Sequence, residues 1–249
     1  MTSPISDPVA APPAKPTSRW EDFIDIFYAP ASVFERRQNQ SPWPTIWIVT
    51  VLLTLVTVLT FNAISPVLET ELRKAMAVAM AKTPQLTQDM ADKSVHFSLL
   101  GKEWGVVFFP LGALLVGLFV WLLGKIVGSK ATYQQALTVV AYSSILAVVQ
   151  AIVVGAQGLI MDVSSLTSLD QLSLSAARFM DKATASPALY AVMKQIDVFG
   201  IWGLVIIAIG VQITGKVTRQ RAIAFAVIWW LIGTLIMFAI GLRQAAAAG

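Results

Sequence analysis

The chain has 249 residues, 56% of them hydrophobic and 13% charged, with a formal net charge of +4 and no cysteine. An ordinary soluble domain is about 25% charged, so this composition excludes a water-soluble fold, and the lack of cysteine excludes disulfides, zinc thiolates and thiol chemistry. The basic residues sit beside long apolar runs rather than along one stripe, which argues for a membrane and against nucleic acid.

Residues 1–19 carry Pro4, Pro8, Pro12, Pro13 and Pro16 and no basic-then-apolar leader pattern. They read as a solvated, disordered tail. Residues 20–42 change character: Phe23, Ile26, Phe27, Val33 and Phe34 recur at helix-like spacing around Pro30, followed by Arg36 and Arg37. The expectation is an amphipathic segment lying in the membrane interface, its arginines against anionic headgroups.

Five apolar runs follow, Trp43 to Ile64, Trp104 to Leu123, Ala136 to Met161, Val198 to Ile213 and Ala222 to Leu242, and none contains Asp, Glu, Lys, Arg or His. Most approach the ~20 residues a helix needs to cross a bilayer. The fold class is therefore all-α, a polytopic transmembrane bundle of five spans with amphipathic interfacial helices. Trp43 and Trp47 suit the headgroup level of the first span.

The connection from Ser65 to Glu103 opens with Leu68, Leu72, Ala75, Met76 and Ala79 on one helical face. This predicts an amphipathic helix that either lies on the membrane or extends the first span. Pro84 ends it, and Thr87 caps a short second helix through Met90. His96 has no second ligand at metal-binding spacing, so no metal or cofactor is expected.

Pro110 in the second span predicts a kink or a first-turn position. On the third span Ser143, Ala147, Ala151 and Gly155 recur every fourth residue, a face that lets helix backbones approach closely in lipid. The expected matching groove is on the second span, at Gly112 and Gly117 and then Gly124 and Gly128. Packing is the preferred reading over a hinge, and the same faces would serve a homo-oligomer. Gln150 and Gln157 share one face of the third span, and Gln212 lies in the fourth. Two readings stay open for them: an interhelical hydrogen-bond cluster, or a polar path for a neutral solute or lipid headgroup.

The two short connections carry Lys125, Lys130, Lys216, Arg219 and Arg221 without an acid, whereas bases and acids balance in the two long ones. Short basic loops stay cytoplasmic. This predicts a bacterial cytoplasmic-membrane protein with its N-terminus inside and its C-terminus, the short tail 243–249, outside.

No Ser, His and acid constellation, embedded carboxylate pair or phosphate-binding loop is present, so no enzyme is expected. Asp162 and Asp197 flank one long connection and read as solvated span ends rather than a shared-proton or cation site.

The order of these pieces resembles the Yip1 family of five-span membrane proteins, its bacterial branch in particular. The carrying stretches are DIFYAPASVFERRQNQSPWP, TPQLTQDMADK, WLLGKIVGSKATYQQALTVVAYSSI and IDVFGIWGLVIIAIGVQITGKVTRQRAIAFAVIWW, together running from about Asp25 to Leu242. The resemblance implies five helices and a cytoplasmic N-terminus. In eukaryotic relatives it implies vesicle traffic between endoplasmic reticulum and Golgi and binding of Rab-type GTPases through a motif similar to Asp25 to Pro30. Here Ala29 stands where those relatives favour Gly.

The functional expectation is a non-enzymatic membrane adaptor or organiser. Its cytoplasmic surface combines Phe27, Tyr28, Pro30, Phe34, Arg36 and Arg37 with Lys125, Lys130, Lys216, Arg219 and Arg221. Such a surface suits an acidic protein partner or anionic lipid. The competing expectation is a transporter or channel for a neutral or lipid-like substrate, lined by Gln150, Gln157 and Gln212.

Overall fold

The computed structural model describes residues 18–248 except 84, 163–165, 167 and 183. The proline-rich tail expected over 1–19 therefore lies outside the described residues up to 17, while Ser18 caps the first helix and Arg19 opens it. α1 (Arg19–Asp25) opens on a capping box, in which the Ser18 hydroxyl accepts from Glu21 N and the Glu21 carboxylate accepts from Ser18 N. α2 (Pro30–Arg37) starts on Pro30, whose missing N–H costs nothing in a first turn.

These two helices turn part of their apolar face toward the bundle. Phe23, Ile26, Val33 and Phe34 are buried in one cluster with Val49, Val139, Tyr142 and Ile206. A turn between the two short helices lets these residues point inward, while Trp20, Ile24 and Tyr28 stay exposed on the outer side.

α3 (Trp43–Lys82) is one continuous 40-residue helix that runs through Pro66. At 1.5 Å per residue it is about 60 Å long, twice the hydrocarbon thickness. The amphipathic stretch after Ser65 is thus an extension of the first span. α4 (Gln88–Leu99) is capped by the Thr87 hydroxyl as expected and runs well past Met90. It packs on the extension, where Arg73 bridges Glu69 at 2.8 Å and Asp92 at 3.0 Å.

A 3-10 turn over Leu100–Trp104 leads into α5 (Gly105–Ile126), which contains Pro110. The third apolar run is two helices, α6 (Tyr133–Ser143) and α7 (Ile145–Ile160). The Ser143 hydroxyl donates to the Val139 and Val140 carbonyls, and the Ser144 hydroxyl donates to Val140 O at 2.7 Å. Serine hydroxyls competing for these carbonyls bend helices.

The long connection after α7 holds 3-10 turns at Leu169–Leu172 and Ala176–Phe179 and the short helix α8 (Pro187–Lys194). α9 (Val198–Gly215) and α10 (Arg219–Ala248) complete the chain. The expected tail after Leu242 is therefore helical to Ala248.

Five of these segments are long and apolar enough to cross a membrane: Trp43–Lys82, Val107–Ile126, Tyr133–Ile160, Val198–Gly215 and Arg219–Ala246. The loops after α5 and after α9 lie together at one end with α1 and α2, called here the short-loop end. α4, α8 and the connection after α7 form the long-loop end. There Glu71 of α3 accepts from Leu169 N at 3.1 Å and Lys182 Nζ at 2.7 Å.

The small-residue face of the third span finds a different neighbour from the one expected. A Cβ at Gly155 would overlap Thr60 of α3, and one at Gly158 would sit 3.3 Å from the Ala63 carbonyl oxygen. The partner is the first span. On α5, Gly117 faces Leu137 of α6, while nothing lies within 4 Å of a Cβ at Gly112. Periodicity identifies a face that invites close approach but does not say which helix arrives there.

Candidate interaction surface

The arginines of the leading segment are committed to the fold. Arg36 Nη2 is 2.6 Å from both Asp22 Oδ1 and Asp25 Oδ2, and Arg37 Nε is 2.5 Å from Asp22 Oδ2. Arg37 Nη1 also donates to Gln40 Oε1 at 2.8 Å. The Asp22 side chain has no exposed surface. These ion pairs were not expected from the sequence: two carboxylates one turn apart on α1 engage both arginines, and a buried carboxylate without its cations would cost several kcal/mol, while the Arg36 side chain stays 31% exposed.

The aromatic part divides. Pro30 and Phe34 are buried, Phe27 is half-buried, and Tyr28 is exposed. Phe34 is a core residue, its ring 3.1 Å from where a Cβ on Gly210 of α9 would stand. The Tyr28 hydroxyl donates to Asp25 Oδ1 at 2.5 Å. That bond, together with Arg36, holds the Asp25 carboxyl below its ordinary value, and the same bond pushes the Tyr28 phenol up.

The basic residues of the short loops are placed differently. Gly128 takes φ +83°, a left-handed conformation that suits glycine, and the turn closes with Ser129 N donating to Gly124 O at 2.8 Å. Lys125 stands over the Trp121 ring at 5.5 Å and donates to Ala131 O at 2.9 Å and Ser129 O at 3.3 Å. Lys125 therefore staples its own loop.

Lys130 N donates to Gly215 O at 2.9 Å, tying the loop after α5 to the end of α9. Lys216 caps α9 in the left-handed conformation, φ 52°, with its N–H on Gln212 O. Arg221 lies under the other loop, its Nη1 2.8 Å from where a Cβ on Gly128 would be. Lys130, Lys216 and Arg221 are thus gathered at the short-loop end, with Arg219 in the first turn of α10. All four are exposed, and among the described residues no ion pair engages them.

The three glutamines do not form one cluster. Gln157 Nε2 donates to Leu172 O at 2.9 Å and its Oε1 accepts from Arg178 at 3.0 Å, both at the long-loop end. Gln212 lies at the opposite end, next to the Lys216 cap. α7 and α9 run in opposite directions, so glutamines near the C-termini of both are separated by the thickness of the bundle. Gln150 alone lines a cavity inside the apolar zone. Asp197 caps α9, its Oδ1 accepting from Gly200 N at 2.9 Å, which is a helix-capping role.

Asp22, and the pairing of Asp25 with Arg36, escaped the sequence reading. Their signal was the pattern of two acids on one short helix and two arginines on the next, which periodicity in apolar residues does not reveal.

No solved structure matches the chain. A membrane protein of Bacillus subtilis (strain 168), YknW, is 24% identical over 216 residues, covering 86% of this chain and 87% of that protein. Residues 24–240 match the Yip1 domain, a range that begins within α1, includes the buried Phe34 and the short-loop basic cluster, and ends near the end of the fifth span. The chain belongs to the Yip1 family.

Proposed function

We propose that this integral membrane protein is a non-enzymatic adaptor or membrane organiser whose short-loop end faces the cytoplasm and binds a protein partner or anionic lipid there. The observation that carries the reading is the gathering of Lys130, Lys216, Arg219 and Arg221 by the Lys130 N to Gly215 O bond and the Gly128 turn, with no carboxylate neutralising them among the described residues. Exposed cations at a membrane surface attract anionic headgroups by about 1 kcal/mol each, and they steer acidic partners. The N-terminus then lies inside and the C-terminus outside a bacterial cytoplasmic membrane.

The test uses protein in nanodiscs and in gently solubilised native membranes. Neutralising the four cations to Gln should remove retained anionic lipid in native mass spectrometry, or a copurifying acidic protein, while the protein stays monodisperse. Retention of both in the neutralised variant would end the proposal. Topology is checked by labelling single cysteines introduced at Lys130 and Lys182, since the chain contains none: the reading requires the first to be protected in intact cells and the second to react.

A further inference from the structure

A cavity of about 330 Å³ lies between α6, α7, α9 and α10, within the apolar zone of the bundle. The helix break puts Ser143 and Ser144 on its wall, and Gln150 and Gln195 reach it from α7 and from the turn before α9. The two serine hydroxyls are spent on backbone carbonyls. The carboxamides of Gln150 and Gln195 make no side-chain hydrogen bond among the described residues, in contrast to Gln157. Both glutamines are half-buried and line the cavity, so their amide groups are open to a partner that enters it. No charged side chain lines the cavity.

A second hollow, about 470 Å³ and lined only by apolar side chains, runs along the outer face between α9 and α10. Leu204 and Trp230 line both spaces. Trp230 is held in that wall by its indole N–H, 3.5 Å from Gln195 O. Ile201, Val227 and Leu231 beside the hollow are 49%, 50% and 45% exposed, so it opens to the bilayer. Both volumes fall in the range of about 300–1,000 Å³ typical of small-molecule sites.

We infer that these two spaces form one site for a neutral membrane amphiphile of the diacylglycerol class. One of its two acyl chains lies in the α9–α10 hollow and the other in the adjoining bilayer, while its hydroxyl and ester oxygens pair with Gln150 and Gln195. The absence of charge in the cavity selects against phosphate-bearing lipids, whose desolvated charge would find no counter-ion there. The site is independent of the basic cluster at the short-loop end.

The experiment reconstitutes the full chain in phosphatidylcholine nanodiscs with a diazirine-bearing diacylglycerol, or a phosphatidic acid carrying the same chains, and maps photolabelled peptides. Diacylglycerol should label the segments around Gln150, Leu204 and Trp230 well above lipid-facing Phe119, and phosphatidic acid should not. Gly233 lines the cavity with no atom within 4 Å of a Cβ, so Gly233→Phe should abolish the cavity label and leave Phe119 unchanged. The double variant Gln150→Leu, Gln195→Leu loses two hydrogen bonds and should lower cavity labelling about ten-fold. It carries the test if Gly233→Phe does not fold. Labelling equal at Phe119 and in the cavity, equal labelling by phosphatidic acid, or labelling unaffected by the glutamine variant would each overturn the inference; the last would mean that water satisfies the amides.

Discussion

Arg37 Nε and Asp22 Oδ2 lie 2.5 Å apart, joining α2 to α1 across a buried contact in which the carboxylate has no exposed surface. The bond makes the first two helices one unit seated on α6 and α9, so their charges act in folding before they can act in binding.

Removing one partner should therefore be costly. Asp22→Ala leaves Arg37 and Arg36 without their shared carboxylate, and the expected loss is about 3 kcal/mol, typical of breaking a buried pair. It is read as an earlier thermal loss of the monodisperse peak in detergent. Reversing Arg36 and Arg37 to Glu should disrupt the fold in the same way; a fully stable double reversal would show the pair to be ornamental.

The close approach of α3 and α7 predicts a volume effect at one glycine and none at another. Gly155→Val overlaps Thr60 and should destabilise by about 1–3 kcal/mol, whereas Gly112→Ala meets nothing within 4 Å and should be silent. Thr60→Gly in the Gly155→Val background should recover part of the loss. Thermal unfolding of the four proteins in one detergent measures both arms.

Lys216 adopts φ 52°, a left-handed conformation that costs a non-glycine residue about 1–2 kcal/mol. Lys216→Gly should raise the melting temperature while lowering retention of anionic lipid, since it relieves the cap and deletes one exposed cation. The two readouts moving in opposite directions separate a structural role from a binding one.

Tyr190, at the long-loop end, donates to Asp170 Oδ2 at 2.9 Å and lies 3.1 Å from the Ser168 hydroxyl. Burial, with the neighbouring Asp170 carboxylate, pushes its phenol from 10 up to about 12. A folded value above the unfolded one means that the stabilisation is fully present below pH 10 and is lost as pH rises through about 12. The stability advantage of the native protein over Tyr190→Phe should hold to pH 10 and shrink above it; a constant difference would contradict the assignment.

The five spans were legible in the linear chain because bilayer insertion depends on apolar length and internally satisfied backbone, both local properties. The Thr87 cap was legible for the same reason: it is satisfied within one turn. The small-residue face of the third span was visible at Ala147, Ala151 and Gly155, but its neighbour was not. Hydropathy cannot rank α3 against α5 as partner when both are apolar, and the overlap of Gly155 with Thr60 exists only once the helices are placed.

The sequence by itself determined that the chain is a five-span helical membrane protein and that its short loops are basic, since length, hydropathy and charge act residue by residue. Only the tertiary structure decided which charges remain available. Asp22 and Asp25 reach Arg36 and Arg37 through a turn and a burial that no spacing rule encodes, and Lys125 turns back on its own loop. Lys130, Lys216, Arg219 and Arg221 remain exposed because no carboxylate among the described residues engages them.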